Sequence, residues 1–375
     1  MKSGRSSPNP ASSAQKGCPV NGKCSGRPRV SIIVPCRNEA ASIETFLKSL
    51  LRQELQNLNW DAVIADGMSD DGTREVLRRF SAEHPRVQVI DNPSRIVSTG
   101  LNACIRAAAG DIIVRMDVHT EYKSDYVLRC VEVLQNTNAA NVGGACIALQ
   151  TGYVGRAIAG AFHSPFAVGG AQWHQPDYEG PVDTVHLGCW RREVLEQIGC
   201  FDESLVRNQD DELNFRLTRT GRTIWQSPEI VSWYHPRSSL GALFRQYFQY
   251  GFWKVAVIKK HRLPASWRHL IPGAFVLLNC ALLLAVLLGA MTGAGPLWWL
   301  IAAGTAMDIA YAIAVVAAAS LVARKDGWTL FPVLPLVFCS YHFGYGIGFL
   351  SGIYYFSAAP RSGRYNDGIF TELTR

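Results

Sequence analysis

Charge is scarce in this chain. Lys, Arg, Asp and Glu make up 18% of its residues and hydrophobic residues 48%, a balance more apolar than a soluble enzyme of average composition, which carries about 25% charge. The first 28 residues hold no apolar run; without one there is no secretory signal, and their Ser, Pro, Gly and Lys/Arg content predicts a disordered tail with the fold beginning in the cytoplasm. A disulfide framework is also missing. Most of the ten cysteines, Cys104, Cys130, Cys146, Cys280 and Cys339 among them, sit in apolar patterns that suit free thiols in a reducing compartment. Cys18 and Cys24 form one pair with no second pair to complete a zinc site. The net charge of +7 fits a membrane protein with basic flanks and calls for no nucleic acid.

Long hydrophobic runs are absent until about residue 270 and dominate afterwards, so a globular part precedes a membrane part. In the globular part, apolar strand-length runs (Val30 to Val34, Trp60 to Ala65, Val87 to Ile90, Asp111 to Met116) alternate with helical spacing (Ala40 to Leu51, Val76 to Phe80, Ser98 to Ala109). That alternation predicts parallel strands with helices on both faces. The strands end in Arg37-Asn38-Glu39, Asp66, Asn92 and Asp117/His119, and the C-terminal ends of such strands are where an open α/β sheet binds ligands. Asp117 and His119 are an oxygen ligand and an imidazole two residues apart, a donor set for Mg²⁺ or Mn²⁺ carrying a diphosphate. Thr151 to Asp183 is Gly-, Pro- and aromatic-rich and reads as a mobile loop system, and His235 at a strand end reads as a surface residue or a further ligand.

In order and spacing, VPCRNEA, ADGMSDDGT and MDVH resemble the nucleotide-binding half of a family 2 inverting glycosyltransferase of the GT-A (Rossmann-like) fold. The resemblance implies that Pro35, Arg37 and Glu39 line the nucleotide pocket, that Asp66 contacts the base, and that Asp117 holds the metal diphosphate. His119 stands where the family has a second aspartate, either as a metal ligand or bonded to a phosphate oxygen. Downstream, NQDDEL resembles the helix start that carries the family's catalytic base; Asp210 takes that role, with Asp211 and Glu212 as competitors. Inverting transfer needs such a carboxylate to remove the acceptor hydroxyl proton. Gly188 and Trp190 of LGCWRR, and Gln249, Tyr250 and Trp253 of RQYFQYGFWK, resemble acceptor-side segments.

The expected organisation is a tail (1–28), a glycosyltransferase domain (29–237), an amphipathic interfacial segment (238–270), a transmembrane region of about three helices (271–357) and a C-terminal tail (358–375). Arg324-Lys325 and the basic flank before residue 271 would lie inside, with Gly293-Ala294-Gly295 as an outer hairpin. A third crossing would put Arg361, Arg364 and Arg375 outside unless that segment is re-entrant. Asp308 and His342, costly in lipid, should face protein or a lipid-phosphate entrance, and Gly344, Gly348 and Gly352 favour close helix packing.

As a whole the chain is similar to the succinoglycan-type branch of the family. This implies a multi-pass enzyme of the bacterial inner membrane, its catalytic domain facing the cytoplasm, that adds a sugar, typically glucose from a UDP donor, to a polyprenyl-diphosphate saccharide in exopolysaccharide assembly. Its partners would be a nucleotide-sugar donor, the lipid-linked acceptor, membrane lipids and other assembly proteins. The alternatives are a polyprenyl-phosphate sugar synthase, whose phosphate acceptor needs no base, and a catalytically inactive GT-A scaffold.

Overall fold

The computed structural model describes residues 28–292 and 298–358. The expected tails before residue 28 and after residue 358, and the 293–295 hairpin, lie outside them.

The expected alternation is present from the start: β1 (Arg29–Cys36), α1 (Ile43–Leu51), β2 (Asn59–Asp66), α2 (Thr73–Glu83), β3 (Val87–Asp91), α3 (Val97–Ala107) and β4 (Ile112–Arg115). There follow β5 (Thr120–Tyr122), α4 (Tyr126–Asn136), β6 (Asn141–Gly144), β7 (Cys146–Ala148), α5 (Tyr153–Phe162) and α6 (Pro165–Val168). The domain closes with β8 (Gly180–Val182), β9 (His186–Arg191), α7 (Arg192–Ile198), α8 (Gln209–Arg219), β10 (Ile224–Gln226) and β11 (Ser232–Tyr234). Beyond it run α9 (Leu240–His261), α10 (Ile271–Thr292), α11 (Trp298–Asp326) and α12 (Leu334–Ala358).

An eight-stranded sheet in the order β3-β2-β1-β4-β9-β6-β10-β8 forms the spine, and β5-β11-β7 makes a smaller one. β1 pairs in parallel with β2 and β4 over their apolar runs. One face of the large sheet buries Leu50, Leu77 and Tyr126 from α1, α2 and α4; the other buries Leu101, Leu195 and Leu213 from α3, α7 and α8. The sheet is mixed rather than wholly parallel, because β9 enters antiparallel between β4 and β6. A continuous apolar run such as Leu187 to Trp190 carries no strand direction, so periodicity could not show this.

A further expectation is corrected. The stretch after residue 151 contains α5 and α6, and α5 packs on α11 and α12 through Ala157, Ile158 and Ala161. Its small residues reflect close packing: a Cβ on Gly160 would lie 2.5 Å from an Asp326 carboxylate oxygen. Of the two residues expected to face protein or a lipid-phosphate entrance, Asp308 is exposed on α11, whereas His342 faces protein and bonds Tyr311 and the Phe166 carbonyl.

α9 starts at Ser239, whose hydroxyl accepts from the Ala242 amide. Expected as an interfacial segment, it packs on protein through its inner faces, with Leu243, Phe252 and Trp253 buried. The expected glycine stripe is where α12 meets it: Cβ atoms on Gly344, Gly348 and Gly352 would collide with the carbonyl oxygens of Phe244, Phe248 and Phe252. α10, α11 and α12 are each long and apolar enough to cross a membrane.

Candidate active site

The two N-terminal motifs hold each other in place. The Glu39 amide donates to Thr73 Oγ1 (2.8 Å), the Ala40 amide to Asp71 (3.0 Å), and Asn38 Nδ2 to Asp70 (2.9 Å). Asp66 is fully buried beneath this junction, accepting from Ser69 Oγ (2.6 Å) and Arg74 Nη1 (3.2 Å). It anchors the turn, and the adjacent Gly67, not Asp66, lines the cavity above. In this structure the bonds of Asp66 go to the turn itself.

That cavity, about 790 Å³, is lined by Pro35, Arg37, Glu39, Asp117, His119 and Asp210, so most of the nucleotide, metal and base candidates meet in one space. β4 brings in a residue that the sequence reading did not weigh. Arg115, its last residue, is 4% exposed and grips Asp117 through Nε (2.8 Å) and Nη2 (3.0 Å), while Nη1 reaches Asp210 (2.5 Å). A planar guanidinium can make such a fork where a lysine cannot. Tyr122 fixes the same turn, its hydroxyl accepting from the Asp117 amide (2.6 Å). The signal for Arg115 was its place at a strand end two residues before Asp117.

Electrostatics separate the two carboxylates. Burial works against ionised Asp117, but Arg115 overrides it and holds the carboxyl below the usual range. Asp210 retains 36% side-chain exposure on the cavity wall, and the surrounding protein desolvates it enough to lift it above the usual range despite Arg115, with Asp117 and Asp211 adding to the rise. His119 is depressed, first by burial and then by Arg115, Arg237 and Arg207, against the pull of Asp117, which leaves a neutral imidazole near pH 7. Its Nδ1 lies 3.9 Å from Glu39 Oε1. Burial also depresses His186 to about 4.

Of the competing bases, Asp211 lines the same cavity and Glu212 does not. Asp211 accepts from Lys254 (2.6 Å); Glu212 accepts from Arg216, Lys260 and His261 and ties α8 to α9. The acceptor-side residues are only partly brought together. Tyr250 lines the cavity, but Trp190 and Trp253 are buried at 1% and 2% in the core, Trp190 edge-on to Phe201. Gln249, 5% exposed, accepts from Arg207. Gly188 serves the packing of Trp190, since a Cβ there would lie 2.4 Å from the indole. An aromatic run read from sequence cannot distinguish a core face from a ligand face. His235 sits at the surface on Glu121 (2.7 Å).

Other cavity residues carried no site assignment in the sequence reading. His186 Nε2, Gln209 Oε1 and Arg237 Nε are buried without a hydrogen-bond partner among the described residues, and all three residues line the cavity. Phe275, Tyr311, Tyr341 and His342 continue its wall onto α10, α11 and α12.

Comparison with known proteins agrees with this layout. The family model described as glycosyl transferase family 2 matches residues 31–199. The succinoglycan biosynthesis protein ExoA of Rhizobium meliloti (strain 1021) is 37% identical over 262 residues, covering 68% of this chain and 78% of that protein. A dolichyl N-acetyl-alpha-D-glucosaminyl phosphate 3-beta-D-2,3-diacetamido-2,3-dideoxy-beta-D-glucuronosyltransferase of Methanococcus voltae is 26% identical, covering 69% and 82%. Among solved structures, the mannosyltransferase PcManGT from Pyrobaculum calidifontis, in complex with GDP-Man and Mn²⁺, superposes with a TM-score of 0.54 at 22% identity, covering 84% of this chain and 87% of that one. At that identity the likeness shows the fold alone, a GT-A-like domain followed by C-terminal helices. With its succinoglycan-type relative and its three apolar helices, the chain belongs to glycosyl transferase family 2 as a membrane-associated member.

Proposed function

We propose that the protein is an inverting hexosyltransferase that moves a sugar from a nucleotide-diphosphate donor to a lipid-linked saccharide, at a membrane face shared with its catalytic domain. One observation carries this reading: a single buried guanidinium, Arg115, joins the diphosphate-side Asp117 to the base candidate Asp210 in a cavity that continues onto the membrane helices. Asp210, ionised but with raised proton affinity, accepts the acceptor hydroxyl proton as the oxygen attacks. The unpartnered atoms of His186, Gln209 and Arg237 suit a polyol, whose hydroxyls both donate and accept. The nature of the relatives also supports it, since ExoA is named for succinoglycan biosynthesis and the Methanococcus protein for transfer to a dolichyl-linked sugar.

The donor set fits a divalent cation. Among the described residues no group of three or more His, Cys, Asp or Glu is placed to hold one alone, but Mg²⁺ characteristically takes one or two carboxylates and completes its shell with phosphate oxygens and water. Asp117 and the neutral His119 would hold it, and the bound ion would neutralise charge on the departing diphosphate. PcManGT was captured with Mn²⁺, which favours testing that ion first.

The test is transfer of radiolabelled sugar from a panel of nucleotide sugars, UDP-glucose first, to lipid-linked acceptors in membranes, with Asp210→Asn alongside. Transfer by wild type with a loss of about 10²- to 10⁴-fold in the variant is expected. Undiminished transfer in Asp210→Asn would favour a polyprenyl-phosphate acceptor, and absence of transfer with every donor a scaffold.

A further inference from the structure

By length and composition α12 equals α10 and α11 as a membrane span, but it is set apart by its surroundings. Protein buries 6% of the most apolar window of α10, 28% of that of α11 and 44% of that of α12, and mean hydropathy falls from 2.5 to 2.0 to 1.3. More decisive is the position of its two ends. At the start of α12, Leu334 and Val337 cluster with Ala157 and Ile158 of α5 and with Val322 at the basic end of α11. At its finish, Phe356 clusters with Leu205 and Val206, residues of the loop that leads into Asp210. Lys259 of α9 donates to the Phe356 carbonyl, and the next residue, Lys260, bonds Asp202 and Glu212 of the catalytic domain. Both ends of this helix therefore rest on the same domain.

A second argument comes from α9. Phe244, Phe248 and Phe252 meet Gly344, Gly348 and Gly352 in step, so the two helices run parallel and share whatever depth either has. If α12 crossed the bilayer, α9 would carry Arg245, the buried Lys254 with its partner Asp211, and the attached catalytic domain into hydrocarbon, where ionised groups are strongly disfavoured.

The hairpin of α10 and α11 behaves differently. α12 crosses it where Phe275, Tyr311 and Phe343 meet, with ring centroids 4.8 to 6.0 Å apart. Past that point the hairpin projects alone, with Leu283, Leu287 and Met291 exposed. From Phe275 to Thr292 the helix rises about 25 Å, close to the ~30 Å of a hydrocarbon core. Asp308 lies one turn beyond this crossing, roughly 5 Å along the axis, within reach of headgroup water. Along α12, Leu336, Ile347 and Tyr354 are exposed and fall on one side of the helix with Phe343, which packs on Phe275 and Tyr311 of the hairpin, a side distinct from the Gly344, Gly348 and Gly352 face that α9 covers.

We propose that α12 does not cross the membrane but lies along its surface as the membrane-facing floor of the catalytic domain, its apolar stripe seated at the boundary of headgroups and acyl chains. The α10–α11 hairpin is then the crossing element among the described residues, and Ser357 stays on the catalytic face. Tyr341, His342 and Tyr345 of α12 line the catalytic cavity, so this placement opens the cavity at headgroup level. On the reading of a lipid-linked acceptor, the acceptor reaches Asp210 without leaving the membrane plane.

Single cysteines at Thr220, Met291 and Ser357 of the full chain, in a background with the accessible native cysteines replaced by serine and with transfer activity confirming the fold, test this. Sealed vesicles are treated with membrane-impermeant maleimide-polyethylene glycol and the gel shift is read before and after detergent. Ser357→Cys is expected to shift under the same conditions as Thr220→Cys, and Met291→Cys only from the opposite face. A Ser357→Cys shift that follows Met291→Cys, or that appears only after detergent, overturns the proposal. A Met291→Cys shift together with Thr220→Cys would overturn the crossing hairpin itself, and with it the membrane reading on which the proposal stands.

Discussion

Arg115 makes three bonds to two carboxylates of different proton affinity. Lysine would keep the charge but lose the fork, so it could not hold Asp117 and Asp210 together. Arg115→Lys is expected to fold normally and to lose about 100-fold in kcat, the effect of a small displacement of a reacting group; steady-state kinetics beside a thermal melt checks this. The environment of Asp210 predicts a pH dependence with a definite sign. A base works ionised, and a raised carboxyl pKa keeps it protonated to higher pH. The acid limb of the kcat/KM profile should therefore fall with decreasing pH around a midpoint above the ordinary aspartate value of about 3.9; a limb at or below that value would count against Asp210 as base. Asp117, Glu39 and Asp210 were legible in the sequence because their motifs have fixed spacing. Trp190 and Trp253 were misread because an aromatic residue looks the same from sequence whether it faces a cavity or a core.

At the scale of elements, glycine spacing proved informative. A Cβ on Gly348 would sit 2.0 Å from the Phe248 carbonyl oxygen, whereas one on Gly289 of α10 would meet nothing. Gly348→Ala should lower stability by about 1–3 kcal/mol, read as a fall in Tm in detergent, while Gly289→Ala should leave Tm unchanged. α5 shows the converse difficulty. The Gly, Pro and aromatic content of this stretch suggested a loop, but Gly160, Ala157 and Ala161 are small because α11 and α12 approach closely, and helix propensity is a weak prior against such packing.

For the whole molecule, the charge on Asp117 is met by a protein cation, Arg115, so the fold of the site does not rest on a bound ion for that balance. Chelation with EDTA should therefore abolish transfer, and Mn²⁺ restore it, without a change in the Tm of the unliganded protein; a drop in Tm on chelation would mean that the metal is structural. The sequence by itself determined the strand-helix alternation, the order of the motifs and the boundary between globular and apolar parts, because hydrophobic periodicity and turn residues are local properties. The tertiary structure alone decided that β9 runs antiparallel, that Arg115 joins Asp117 to Asp210, and that α12 rests on the catalytic domain at both ends. These depend on contacts between residues far apart in the chain, and an apolar helix of membrane length carries no local mark of what will cover it.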